Sequence, residues 1–187
     1  MTRFERLQRG VPDLVVASVI TLLQEAGSRF LWSPSPSREP VFGADLFDQL
    51  DENWGRYRLF AAWQGPRLYA VYAVYDMAPV HGRGYVFVAC QGDQRNGLGF
   101  PLGWIRFLEE TQAEGLANLY ARVHTSNRLA LHSIEHFGFS GCGALPRYFR
   151  GTAGFEDVLL FHRTTALTRV ERRLARRWLA PSRLEIA

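Results

Sequence analysis

Lysine is missing from this 187-residue sequence, whose 22 basic side chains are all arginine. A phosphate-loop lysine, a pyridoxal-phosphate Schiff base and a lysine nucleophile are therefore excluded. Cysteine is scarce as well. Cys90 and Cys142 form no C-x-x-C pair, so neither a disulfide framework nor a four-thiolate zinc site is available. The low thiol count fits a reducing cytoplasm. Nor is there an apolar run of the roughly 20 residues that crosses a bilayer. The stretch from Leu14 to Ile20 follows Arg3, Arg6 and Arg9 in the manner of a secretion signal. Glu5 and Asp13 interrupt its basic part, Ser18 and Thr21 break the apolar part, and Gln24 and Glu25 stand where small cleavage-site residues belong. It reads as a core helix.

What is present is the composition of an ordinary globular chain. At 47% hydrophobic and 21% charged residues it is too apolar for disorder, and its length suits a single core. The net charge of +4 is concentrated in one stretch. Arg169, Arg172, Arg173, Arg176 and Arg177 share a window with Leu167, Val170, Leu174 and Trp178 at helical spacing. The ordinary reading is a solvated helix face; a homodimer contact, an anionic ligand and a membrane surface are the alternatives. No nucleic-acid partner and no membrane insertion are expected.

Periodicity and punctuation divide the rest. Phe4 to Gln8 reads as a strand, and Pro12 and Asp13 open a helix that Gly27 closes. Ser28 to Pro40, with three prolines among serines, is expected to be a loop, and Ala44 to Asn53 a second short helix. Arg56 to Trp63 and Arg67 to Tyr75 form a hairpin about Gln64-Gly65-Pro66. Tyr85 to Cys90 is a continuous apolar strand, followed by a helix from Leu98 to Ala113. Leu116 to His124 is a strand, Asn127 caps a helix through Phe137 that Gly138 ends, and Phe139 to Cys142 and Phe155 to His162 are the last strands. The order implies one α+β domain over residues 1–163, with an Arg-rich amphipathic helical extension over 164–187.

Chemistry concentrates between the apolar strand and the helix after it. In Gln94-Arg95-Asn96-Gly97-Leu98-Gly99 the glycines permit a sharp turn that aims free amides at an anion. Gly82-Arg83-Gly84 and Gly141-Cys142-Gly143 repeat the Gly-x-Gly pattern away from any strand-to-helix junction. A dinucleotide fingerprint needs a further glycine at Pro101 or Leu102, and a Walker loop needs lysine.

Gln94, Gly97 and Gly99 match the Gln/Arg-x-x-Gly-x-Gly/Ala loop of the GNAT acyltransferases, and Asn127-Arg128-Leu129-Ala130 with Phe137-Gly138-Phe139 are similar to that family's later signature. The chain thus resembles the GNAT superfamily, most clearly over residues 85–139. The resemblance implies a mixed, mostly antiparallel sheet flanked by helices, with a splayed strand pair forming an acyl-CoA groove. It also implies transfer of an acetyl or other short acyl group from acyl-CoA to a primary amine by direct attack, without a metal. Val88, Ala89, Cys90, the loop from Gln94 through Arg95, Asn96, Gly97 and Leu98 to Gly99, and Asn127 become the expected acyl-CoA contacts. Two departures follow: the family's frequent tyrosine acid falls at Ile134, and its frequent carboxylate at Arg83. His124 and His81 are then the candidate bases and Tyr148 the candidate acid. The alternatives are a non-catalytic acyl-CoA-binding module and, more remotely, a zinc hydrolase using His132, Glu135 and His136. The acceptor amine is that of a small molecule or of a peptide or protein, and aromatics such as Trp32, Trp54, Tyr57 and Tyr148 slightly favour a pocket for the small molecule.

Overall fold

The computed structural model describes residues 2–7, 11–25, 57–90, 98–151 and 154–179. The expected Pro/Ser loop, the expected helix at Ala44 to Asn53, and Gln94 to Gly97 lie outside them. Seven strands form one sheet in the order β1-β2-β3-β4-β5-β7-β6. They are β1 (Thr2–Leu7), β2 (Arg58–Gln64), β3 (Arg67–Ala78), β4 (Arg83–Cys90), β5 (Asn118–His124), β6 (Ser140–Gly151) and β7 (Gly154–Thr164). Helices α1 (Asp13–Glu25), α2 (Gly99–Ala113), α3 (Arg128–Ile134) and α4 (Arg169–Trp178) accompany it. Every neighbouring pair is antiparallel except β4 and β5. This is the expected mixed sheet.

Each face of the sheet has its own core because alternate strand residues point to opposite sides. Phe60, Tyr72, Val86, Leu119, Ala121, Val123 and Phe161 meet Trp104, Phe107 and Leu108 of α2. On the other face Leu59, Ala61, Val71, Ala73 and Ala89 meet Val19, Leu22 and Leu23 of α1. The strand β4 reads as a continuous apolar run because both of its faces are covered.

Several boundaries move, with identifiable causes. The 3-10 turn Pro79–His81 ends at Gly82, whose φ of 59° is left-handed. That tight turn lets β3 and β4 start nearer each other than the apolar residues alone indicate. At Gly84 a Cβ would sit 2.6 Å from the Val74 side chain, so this Gly-x-Gly serves close strand packing. The helix after Asn127 is α-helical only to Ile134; a 3-10 turn, Glu135–Phe137, completes it before Gly138. The largest difference is β6, expected to stop at Cys142 and observed to reach Gly151 with irregular register at Gly141/Gly143 and Leu145/Phe149. Those bulges break the period-two pattern on which a strand is recognised.

Helix α4 is fastened by a buried ion pair. Arg163, 4% exposed on β7, donates to both Glu171 carboxylate oxygens at 3.0 and 3.2 Å. Trp104 Nε1 of α2 donates to the same carboxylate at 3.2 Å. The Thr168 amide donates to it at 2.7 Å, while the Thr168 hydroxyl accepts from the Glu171 amide, completing a capping box. Arg163 also donates to the carbonyl of Phe137. The five arginines of α4 are exposed, on the side of the helix opposite Glu171 and Leu174.

Burial opposes ionisation of Glu171, but hydrogen bonds from Arg163 and Thr168 and the Arg163 charge hold its carboxyl below the ordinary 4.5. A carboxyl depressed on folding contributes stability that is full above its unfolded value and lost as pH falls through the folded one. Urea unfolding should therefore show this contribution disappearing below about pH 4.5 in the wild type. In Glu171→Ala it is absent at every pH, with a loss near neutrality of about 3–5 kcal/mol, because Arg163 is left buried and unpaired.

Candidate active site

The parallel pair β4/β5 has only three residue pairs: Arg83 with Asn118, Gly84 with Leu119 and Tyr85 with Tyr120. Beyond them β4 continues against β3 to Cys90, opposite Ala70. Likewise β5 continues against β7 to His124, opposite Val158. The two strands therefore diverge from Val86 and Ala121 onward. In a ladder, alternate backbone groups face each neighbour, so those of Val86–Cys90 turned away from β3 have no partner on β5. The expected acyl-CoA residues Val88, Ala89 and Cys90 lie on this stretch. The side chains of Val88 and Cys90 lie on the α2 side and Ala89 is buried on the α1 side.

Beyond β4 stands the first turn of α2. Leu98 is its N-cap, without a side-chain cap bond, so the early amides are not satisfied by that residue. Two tyrosines of β3 hold the turn: Tyr69 donates to the Gly99 carbonyl at 2.6 Å and Tyr72 to the Phe100 carbonyl at 2.8 Å. A Cβ at Gly99 would stand 3.1 Å from the Tyr69 ring and hydroxyl, and one at Gly103 2.7 Å from the Tyr72 hydroxyl. Thus Gly99, read as part of an anion loop, also lets the helix lie against Tyr69. Burial pushes both phenols well above their usual range, which keeps them neutral donors.

Asn127 opens α3, its side-chain oxygen accepting from the Ala130 amide at 3.1 Å. Its observed role is the cap expected from sequence. The Phe137-Gly138-Phe139 signature has a packing role. Gly138 is left-handed at φ 74°, and a Cβ there would stand 3.2 Å from the Arg163 guanidinium that binds the Phe137 carbonyl.

On the α1 side of the sheet, the polar residues of β5 alternate with its core residues: Tyr120, Arg122 and His124 against Leu119, Ala121 and Val123. Arg122 is half-buried, its guanidinium carbon 3.8 Å from the Tyr85 ring centroid and 5.6 Å from that of Tyr148. Tyr85 also contacts Tyr75 and Tyr120, at 5.8 and 5.7 Å between centroids. Tyr148 reaches this group from the β6 bulge, next to Arg147 with its φ of 51°. His124 is half-buried, edge-on to Phe149 at 4.4 Å and with Nδ1 3.7 Å from Glu156. Ser126 donates to that carboxylate at 2.5 Å. Burial pushes the His124 imidazole below its ordinary 6.5, with Glu156 pulling partly back.

The structure thus brings His124 and Tyr148 to one face beside the diverging strands. It does not bring His81 there. His81 is exposed in the 3-10 turn before β4, with the whole of that strand, roughly 23 Å at about 3.3 Å per residue, between it and Cys90. Ile134 packs against the apolar core of the α2 face. His132, Glu135 and His136 are exposed, and the described residues hold no group of three His, Cys, Asp or Glu side chains suited to a metal. Tyr69, Tyr72, Tyr85, Tyr120, Arg122 and Glu156 were not anticipated. For Tyr120 and Arg122 the alternation with Leu119, Ala121 and Val123 carried a signal.

No family model matches the chain, and no curated protein is similar to it in sequence. Its fold is similar to that of solved enzymes. Spermidine N-acetyltransferase from Vibrio cholerae, in complex with CoA and spermine, superposes with a TM-score of 0.69 over 88% of this chain and 95% of that one, at 16% identity. The ribosomal-protein-S18-alanine N-acetyltransferase of Escherichia coli gives 0.63, 21% identity and 90% and 96% coverage. An N-acetyltransferase from Staphylococcus aureus Mu50 gives 0.66, 10% identity and 89% and 99% coverage. The chain has the fold of the GNAT N-acetyltransferases. None of its described helices is long and apolar enough to cross a membrane.

Two substitutions test the packing of the site. Gly103→Ala forces a methyl onto Tyr72 and should cost about 1–3 kcal/mol in urea unfolding, part of which Tyr72→Phe recovers in the double variant. Asn127→Ala should cost about 1 kcal/mol through loss of the cap.

Proposed function

We propose that this protein is a cytoplasmic N-acyltransferase that moves an acetyl or other short acyl group from acyl-CoA to the primary amine of a small molecule. The observation that carries the reading is the end of β4/β5 pairing after Tyr85 and Tyr120. It leaves one edge of β4 for the amide-bearing arm of CoA, which pairs with it as a missing strand does. The pyrophosphate is assigned to the Gln94–Gly99 loop and the amides opening α2. Residues 1–163 form the proposed acyltransferase unit and 164–187 its extension.

The amine arrives from the Tyr85, Arg122 and His124 face. Its nitrogen attacks the thioester carbonyl, forming C–N as the C–S bond breaks, and CoA leaves as thiolate. A backbone amide of Val88, Ala89 or Cys90 stabilises the oxyanion. The amine's proton passes to neutral His124, directly or through water, and Tyr148 is the proposed donor to the thiolate. Because burial depresses the His124 pKa, the imidazole is a neutral acceptor at pH 7. A second reading, acyl-CoA binding without transfer, is favoured by one observation, the core packing of Ile134 where the family often has a tyrosine acid.

Calorimetry tests the first step: CoA should bind, and Gly97→Asp should weaken it at least about tenfold by introducing bulk and negative charge. Turnover of an amine panel decides between the two readings, since binding without transfer leaves only the second. For His124 the sign is defined. Its neutral form acts, so kcat/KM should rise with pH through an inflection below 6.5, above which it follows only the free-amine fraction of the acceptor. His124→Ala should remove that limb and lower the rate about 10²-fold. A variant with full rate and the same inflection would eliminate His124.

A further inference from the structure

Among the arginines whose side chains are described, those that are buried or half-buried have a carboxylate partner, with one exception. Arg6 and Arg58 share Glu114, Arg106 holds Glu109 and Arg163 holds Glu171. Arg122 is half-buried and its neighbours are neutral tyrosines: its guanidinium lies over the Tyr85 ring at 3.8 Å and also hydrogen-bonds Tyr85, and it stands 5.6 Å from the Tyr148 ring. A partly desolvated cation is costly when uncompensated, and ring faces supply attraction without neutralising charge. The guanidinium fork matches the planar oxygens of an oxyanion.

Its position is equally specific. Tyr85 is the last β4 residue paired with β5, and Arg122 lies over its ring where the strands begin to part. His124, the proposed base, is on the same face two residues on, about 7 Å along the strand. The Tyr85 and Tyr148 rings face the cation, and Tyr75 and Tyr120 pack against the Tyr85 ring.

We propose that the acceptor is an amine that also carries an oxyanion, a carboxylate or a phosphate, which Arg122 binds between the Tyr85 and Tyr148 rings while the amine lies at His124. Arg122 is then a specificity residue, and a polyamine is disfavoured because its cationic arm meets a like charge. This rests on the acyltransferase reading above.

The test measures acetyl-CoA-dependent kcat/KM for four primary amines: tyramine, 4-(2-aminoethyl)benzoate, tyramine O-phosphate and spermidine. Either or both anionic amines should exceed tyramine by about tenfold or more, spermidine should rank last, and the better anion identifies carboxylate or phosphate. Arg122→Gln should reduce that ratio to within about twofold, chiefly through KM of the anionic amine. Arg122→Lys, which keeps charge but loses the fork, should retain part of it. Wild-type preference for tyramine or spermidine, or a ratio unchanged in Arg122→Gln, overturns the proposal and leaves acyl transfer standing. If no amine is acetylated, the acyltransferase reading fails separately. Calorimetry of 4-(2-aminoethyl)benzoate and tyramine O-phosphate with CoA present then decides the anion site: binding lost in Arg122→Gln supports it, and no binding of either, or binding unchanged in the variant, overturns it. The wild-type ranking needs no variant to fold.

Discussion

A parallel strand pair that stops after three residue pairs is the constraint around which this molecule is arranged. Each diverging strand keeps its other neighbour, β3 for β4 and β7 for β5, so the opening costs only the pairing between two strands. The shared core beneath it, from Phe60 and Val86 to Val123 and Phe161 on α2, prevents the halves from separating further. The divergence can be stable only because each half is a properly paired sheet with buried side chains.

The two halves are also tied across the α2 face. Glu171 of α4 takes bonds from Arg163 on β7 and Trp104 on α2, and Arg163 takes the carbonyl of Phe137. The second sequence signature is thereby structural in large part: Asn127 starts α3, Phe137 and Gly138 end the following turn on Arg163, and Phe139 enters the core. Side chains that match that signature fix where a short helix begins and ends.

Local features were therefore well represented in the residues themselves. Strand alternation in β5, the glycine end at Gly138 and the Asn127 cap depend on near neighbours, and each is where its chemistry indicates. Relations between distant segments were not. Tyr69 and Tyr72 reach helix carbonyls about thirty residues away, and no spacing rule connects them. The Arg163–Glu171 pair was nearer to legibility, because Thr168 and Glu171 have capping-box spacing; that local spacing carries no sign of Arg163 on β7. The length of β6 escaped because its bulges interrupt alternation, and they are what carries Tyr148 toward Arg122. In the candidate site, the splayed strand pair implied by the family resemblance is found at β4 and β5, whereas the meeting of Arg122 with Tyr85 and Tyr148 depends on contacts between strands far apart in sequence.

The lack of lysine has a chemical meaning beyond the mechanisms it excludes. Lysine ammonium groups shed protons readily enough to be acylated by activated thioesters, and each such event deletes a charge. Guanidinium does not deprotonate in proteins, so the arginines that brace Glu114 and Glu171 and those that line α4 are inert toward such reagents. The side chains of this protein carry the same positive charge whether activated acyl groups around it are scarce or abundant.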